Sequence, residues 1–179
     1  MTSDPAVKKH LLLLRHAKAM PGGAGLPDRD RPLAERGHRD AGLMGEAIAK
    51  DHAPEVVVCS PATRTRQTMD EVIARLRDGP EVVLAETLYG GDEKIYLETI
   101  MGHAGTARRL LLVGHNPMIH LLAIALAKAP SAKLRGKFPT AALAIIGFEV
   151  DEWSKIGPGK GELELFLRPK DLGAGDADD

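Results

Sequence analysis

Apolar residues in this chain gather in short unbroken runs, each ending abruptly in polar residues. "HLLLLRH" at 10–16, "EVVVCS" at 55–60, "EVVLAE" at 81–86 and "RLLLVG" at 109–114 share this form. The first suits a parallel strand covered on both faces and the second a buried strand, although periodicity alone does not separate them from buried helix segments; the other two read as a third and a fourth strand. Between the runs the apolar positions recur at helical spacing. Leu33 to Asp51 carries Ala41, Met44, Gly45 and Ile48 in phase, and Ala62 to Arg77 carries Met69, Val72, Ile73 and Leu76, with Pro61 placed to start the helix. Two further helices are expected from about Asp92 to His103 and from Pro117 to Lys128.

Strand and helix alternating at this spacing predict an α/β fold: a mainly parallel central sheet with helices on both faces, a three-layer α/β/α sandwich. The last third changes character. "AALAIIGFEV" and "GELELFLRP", joined by a Gly/Pro/Lys-rich turn, predict a C-terminal hairpin that completes the sheet. We expect a single domain over residues 1–170. Residues 171–179, "DLGAGDADD", hold four aspartates and almost nothing to bury, and are expected to be a disordered acidic tail. "PGGAGLPDRDRP", Pro21 to Pro32, reads as a loop; its glycines lack the preceding strand and the following Lys-Ser/Thr of a phosphate-binding P-loop.

Composition narrows the function. With 24 basic against 25 acidic residues, a net charge of −1 and 3% aromatic residues, neither a polyanion-binding footprint nor base-stacking platforms are indicated, so no nucleic-acid partner is expected. No apolar run approaches the roughly 20 residues of a membrane span, and the N-terminus does not read as a signal peptide. The one cysteine, Cys59, has no disulfide partner. A cytoplasmic protein without membrane contact is the expectation.

In an open parallel sheet, ligands bind beyond the carboxyl ends of the strands. The first strand ends in Arg15-His16, the second runs into "SPATRTRQT", and the fourth ends in "GHNP" with His115. Parallel strands would bring all three to one rim. On the second helix Arg64, Gln67 and Thr68 share a face, whereas Arg66 points away. The resulting set is two imidazoles and two guanidinium groups without a carboxylate or thiolate cluster. Guanidinium forks suit phosphoryl oxygens, and a neutral imidazole nitrogen is a competent nucleophile towards phosphorus. The histidines lack H-x-x-x-H or H-E-x-x-H spacing, so no metal site is expected. His10, His38, His52 and His103 fall at element edges or polar faces, and His120 is expected to be a satisfied core or interface residue.

These residues also carry a resemblance. "LLLLRHAKA", "CSPATRTRQT" and "LLLVGHNP" are similar to the three linked motifs of the histidine phosphatase superfamily, which includes the phosphoglycerate mutase-like proteins. "DRDRPLAERG" and "KFPTAALAII" resemble its compact SixA-like phosphohistidine phosphatase branch. The resemblance implies a phosphoglycerate mutase-like fold and a metal-independent, cofactor-free phosphatase. It makes His16 the nucleophile that becomes phosphorylated, and Arg15, Arg64 and His115 the pocket for the phosphoryl group. Larger relatives use a glutamate as proton donor; here the nearest candidates are Glu86 and Glu93, in no segment that aligns. Arg31, Asp28 and Glu86 are candidates for the pocket edge.

Expelling an alkoxide from a phosphate ester needs a proton donor, whereas imidazole, with a conjugate-acid pKa of about 6.5, leaves far more readily. A phosphohistidine-bearing protein is therefore the first substrate expectation. A small phosphomonoester is the alternative substrate, and a phosphate-binding protein without turnover is the alternative function.

Overall fold

The leucines of the first run are buried on both sides. In the computed structural model, which describes residues 8–175, strand β1 (Lys8–Arg15) lies near the middle of a six-stranded sheet. Leu11 and Leu13 face one hydrophobic cluster, Leu12 and Leu14 the other, and all four are fully buried. Each such side chain contributes on the order of 1.5–3 kcal/mol of burial free energy. An alternating strand could not supply both faces.

The sheet order is β3-β2-β4-β1-β5-β6, with β2 at Val56–Cys59, β3 at Glu81–Leu84, β4 at Arg109–Gly114, β5 at Leu143–Glu149 and β6 at Glu162–Leu167. β1, β2, β3 and β4 pair in parallel, and β5 is antiparallel to both of its neighbours, β1 and β6. The expected hairpin is thus present, and it docks through β5 against β1. Strand β3 forms an edge, with Val82 and Leu84 exposed.

Helices α1 (Glu35–Asp51) and α2 (Thr63–Ile73) cover one face through Ala41, Met44, Ile48, Met69 and Val72. On the other face lie α3 (Glu93–His103) and α4 (Met118–Leu126), contributing Tyr96, Ile100, Ile119, Leu122 and Leu126. Gly45 lets α1 and α2 approach: a Cβ there would sit 2.8 Å from Arg75 Cδ and 3.0 Å from Val72 Cα. Gly37, in the first turn of α1, has a stricter reason, since a Cβ would overlap the Lys18 carbonyl oxygen, two residues beyond His16.

Several boundaries differ from expectation. Helix α2 stops at Ile73 because the chain tightens into turns, with Arg75 N–H donating to Val72 O and Leu76 N–H to Ile73 O. Helix α4 stops at Leu126 because Lys128 N–H turns out to Gly161 O beside the hairpin. A short helix, α5 (Ala132–Gly136), was not expected; Ser131 Oγ caps it by accepting from Leu134 N–H at 3.1 Å. The expected disordered tail begins too early. Asp171 belongs to a 3₁₀ turn, Pro169–Leu172, where its carboxylate accepts from the Arg168 side chain and backbone and from Lys133. The last four residues of that segment, 176–179, lie outside the described residues.

Candidate active site

Parallel pairing puts three strand ends level. Arg15 is in register with Gly114, His16 N–H donates to Gly114 O at 3.1 Å, and Ser60 N–H donates to Val113 O at 3.0 Å. His16, Ser60 and His115 therefore emerge side by side from β1, β2 and β4. The imidazoles of His16 and His115 lie 5.3 Å apart, centroid to centroid.

Backbone contacts fix His16 closely. Its carbonyl accepts from Ala141 N–H at 3.1 Å, and the next residue's amide, Ala17 N–H, donates to Thr68 Oγ1 at 3.0 Å. Ala141 adopts a left-handed φ of 57° while fully buried, a conformation that costs a non-glycine residue on the order of 1 kcal/mol. Nδ1 of His16 lies 2.8 Å from Ala17 O. A carbonyl can only accept, so Nδ1 carries the proton and Nε2 is left with its lone pair. Burial, with added repulsion from His115, Arg64 and Arg15, pushes the His16 pKa down to about 3. The ring is neutral at physiological pH.

Arg64 leaves the first turn of α2 almost fully buried. Its Nη1 donates to Asp28 O at 2.7 Å and its Nη2 to Asp28 Oδ2 at 3.0 Å, while its buried Nε has no hydrogen-bond partner among the described residues. Arg15 Nη1 donates to Phe138 O at 2.9 Å, and Asn116 Nδ2 reaches the same carbonyl. His115 lies with Nε2 at 2.7 Å from Ser60 Oγ and Nδ1 at 3.5 Å from Arg64 Nη2. Burial first, then the arginine charges, lower its pKa to about 4 against a raising contribution from Asp28. Tyr96 OH, donating to Leu88 O, accepts from the His115 backbone N–H.

The structure thus brings Arg15, His16, Arg64 and His115 together, and Asp28 and Arg31 join them at the rim. Asp28 accepts from Arg64, from Tyr89 OH at 2.9 Å and from Arg31 Nε at 2.9 Å. Led by the Tyr89 hydrogen bond, these contacts lower its pKa and keep it a carboxylate. Glu86 stands farther out, exposed and paired with Arg29 at 2.7 Å. Glu93 opens α3. Arg66 is exposed, as the helix phase implied, and Gln67 and Thr68 face inward, Gln67 Oε1 accepting from Leu33 N–H.

His120 is satisfied by Leu134 O at 2.6 Å and packs on Phe138. Cys59 is a buried thiol whose pKa burial pushes up to about 12. Among the described residues no group of three or more His, Cys, Asp or Glu is placed to hold a metal ion, and no helix is long and apolar enough to cross a membrane.

Sequence reasoning missed Ser60, Tyr89, Asn116 and the carbonyl of Phe138. The "SP" before α2 and the "NP" after His115 were visible signals for the first and third. Tyr89 had none, because its partner is 61 residues away in sequence.

An α/β sheet with a neutral imidazole and two arginines at one rim is chemically suited to phosphoryl transfer. Comparison with known proteins agrees. The profile of the histidine phosphatase superfamily (branch 1) matches residues 11–98. The assigned phosphohistidine phosphatase SixA of Nakamurella multipartitia superposes with a TM-score of 0.81 at 31% identity, over 93% of this chain and 99% of that one. The assigned SixA of Agrobacterium tumefaciens gives 0.74 at 27% identity, over 90% of this chain and 99% of that one. An uncharacterized protein of Mycobacterium tuberculosis is 38% identical over 165 residues, 88% of this chain and 100% of its own length. The chain belongs to the histidine phosphatase superfamily, in its SixA-like branch, and is a phosphatase.

Proposed function

We propose that this protein hydrolyses phosphohistidine on a protein substrate through a covalent phosphohistidine at His16. The observation that carries this reading is the hydrogen bond from His16 Nδ1 to Ala17 O, which leaves Nε2 unprotonated beside Arg64 and His115. Nε2 attacks phosphorus, the bond from phosphorus to the leaving group breaks, and the departing nitrogen takes its proton from water. A water molecule then attacks the phosphorylated His16, releasing inorganic phosphate and restoring the imidazole.

Arg15, Arg64 and His115 hold the phosphoryl oxygens and stabilise the charge that spreads over them as the bonds change. For Arg64 this means exchanging Asp28 for the substrate, because the same guanidinium edge serves both.

Two observations favour a nitrogen leaving group over an ester. Asp28 is held ionised by Tyr89, Arg64 and Arg31, so it is not set to protonate an alkoxide, and Glu86 lies farther out, turned to Arg29. The likeness to proteins assigned as SixA supports the same preference.

The test is phosphate release, without added metal, from a phosphohistidine-bearing protein, a phosphoserine peptide and a small phosphomonoester. We expect release from the first, dependent on His16. Faster release from the esters would assign a general phosphatase, and release from none, with phosphate still bound, would assign a binding protein.

A further inference from the structure

Ser60 is fully buried at the end of β2, and nothing in the reaction described above uses its hydroxyl. Its backbone is anchored on both sides, N–H to Val113 O and carbonyl to Thr65 Oγ1 at 2.7 Å, so the side chain projects from a fixed point. Among the described residues the hydroxyl meets His115 Nε2, at 2.7 Å. A serine hydroxyl can donate or accept. That freedom matters because the other ring nitrogen faces two different neighbours over the reaction.

In the structure, Nδ1 of His115 has Arg64 Nη2 at 3.5 Å. A guanidinium only donates, so Nδ1 presents its lone pair, the proton sits on Nε2, and Ser60 Oγ accepts it. A phosphoryl group drawn into the fork of Arg64 reverses the demand, since phosphoryl oxygens only accept. Nδ1 must then carry the proton, Nε2 must present its lone pair, and Ser60 must donate.

We infer that Ser60 is a positioning residue that selects the tautomer of His115, accepting from Nε2 in the free enzyme and donating to it once a phosphoryl group is bound. This rests on the proposed phosphoryl pocket. Net protonation does not change in the exchange: one proton leaves Nε2 and one arrives at Nδ1, relayed through solvent, and the serine turns its own O–H. His115 is neutral in the free pocket, where burial and the arginine charges lower its pKa to about 4, and the exchange moves a proton without adding one. The arrangement gives the pocket a directed N–H donor without charging a buried ring. It also couples ring orientation to whether Arg64 is engaged by Asp28 or by substrate.

The test is nitrogen-15 NMR of histidine-labelled protein, with and without orthovanadate as the phosphoryl probe. The shifts of Nδ1 and Nε2 distinguish the two neutral tautomers and the imidazolium. We expect Nε2–H in the free protein and Nδ1–H in the vanadate complex, at the same pH. Ser60→Ala should leave His115 averaged between tautomers in the complex, weaken vanadate binding and lower kcat/KM on the order of tenfold. Ser60→Cys, which retains a weak donor, should recover part of both.

His115 remaining Nε2–H, or becoming imidazolium, in a wild-type protein that binds vanadate would overturn the inference while leaving the phosphatase reading intact. Failure to bind vanadate at all would overturn the pocket and the inference with it.

Discussion

Acidification should unfold this protein through the two histidines of its site. His16 and His115 are held neutral in the fold, with pKa values of about 3 and about 4, against about 6.5 for an exposed histidine. The unfolded chain therefore binds protons that the native state refuses once the pH drops below 6.5. A depressed histidine contributes stability in full above the unfolded pKa and loses it as pH falls towards the folded one. Each pH unit below 6.5 costs about 1.4 kcal/mol per histidine, so between pH 7 and pH 5 each ring removes about 2 kcal/mol and the pair about 4. That is a large share of the 5–15 kcal/mol typical of a domain.

The carboxylates with lowered pKa values, Asp28, Glu71, Asp151, Glu164 and Asp171, lose most of their contribution at lower pH, so the two histidines dominate the pH 7 to 5 window. Urea unfolding at the two pH values measures the loss, and the double variant His16→Asn/His115→Asn should show a drop smaller by about 4 kcal/mol. The imidazole C2–H resonances of both residues should show no titration near pH 6.5. Equal acid sensitivity in wild type and double variant, or ring titrations near 6.5, would refute the reasoning.

Three substitutions test other parts of the account. Arg64→Ala should lower kcat/KM on the order of 100-fold or more, because a directed donor to the phosphoryl oxygens is lost, whereas Arg66→Ala should stay near wild type; equal losses in steady-state kinetics would mean the α2 face is misassigned. Gly37→Ala should destabilise the fold by about 1–3 kcal/mol in urea titration despite alanine's better helix propensity, since the new methyl meets the Lys18 carbonyl; a gain in stability would contradict that packing. Asp28→Asn removes the charge that competes for Arg64, and inorganic phosphate should inhibit more tightly, by up to about fivefold for an ion pair whose carboxylate is open to solvent. Weaker inhibition would show that Asp28 instead aids phosphate binding.

The parts legible in the sequence were those written in local pattern. Unbroken apolar runs marked the central strands, and helical phase separated Arg64 from Arg66. Strand direction then placed Arg15, His16 and His115 on one rim. What escaped depends on contacts between distant segments. Asp28 is a pocket-edge candidate in the sequence, but its pairing with Arg64 across 36 residues and with Tyr89 across 61 is not legible there, because the chain around it carries no periodicity. The left-handed Ala141 gave no warning, since glycine is the usual marker of that conformation. Helix α5 is only five residues long, too short for a periodic signal, and its Pro-Ser start was the one available cue. The ordered place of Asp171, at the start of the acidic segment, depends on Lys133 on α5 and Arg168 at the hairpin end. Composition alone does not reveal them.

The most direct test of the central claim is to trap the phosphoenzyme. Wild-type protein, mixed with a phosphohistidine-bearing substrate, quenched in alkali and digested, should yield by mass spectrometry a peptide phosphorylated at His16, and the His16→Ala variant should yield none. Phosphate release by the wild type with no phosphorylated His16, or undiminished turnover in His16→Ala, would contradict the account.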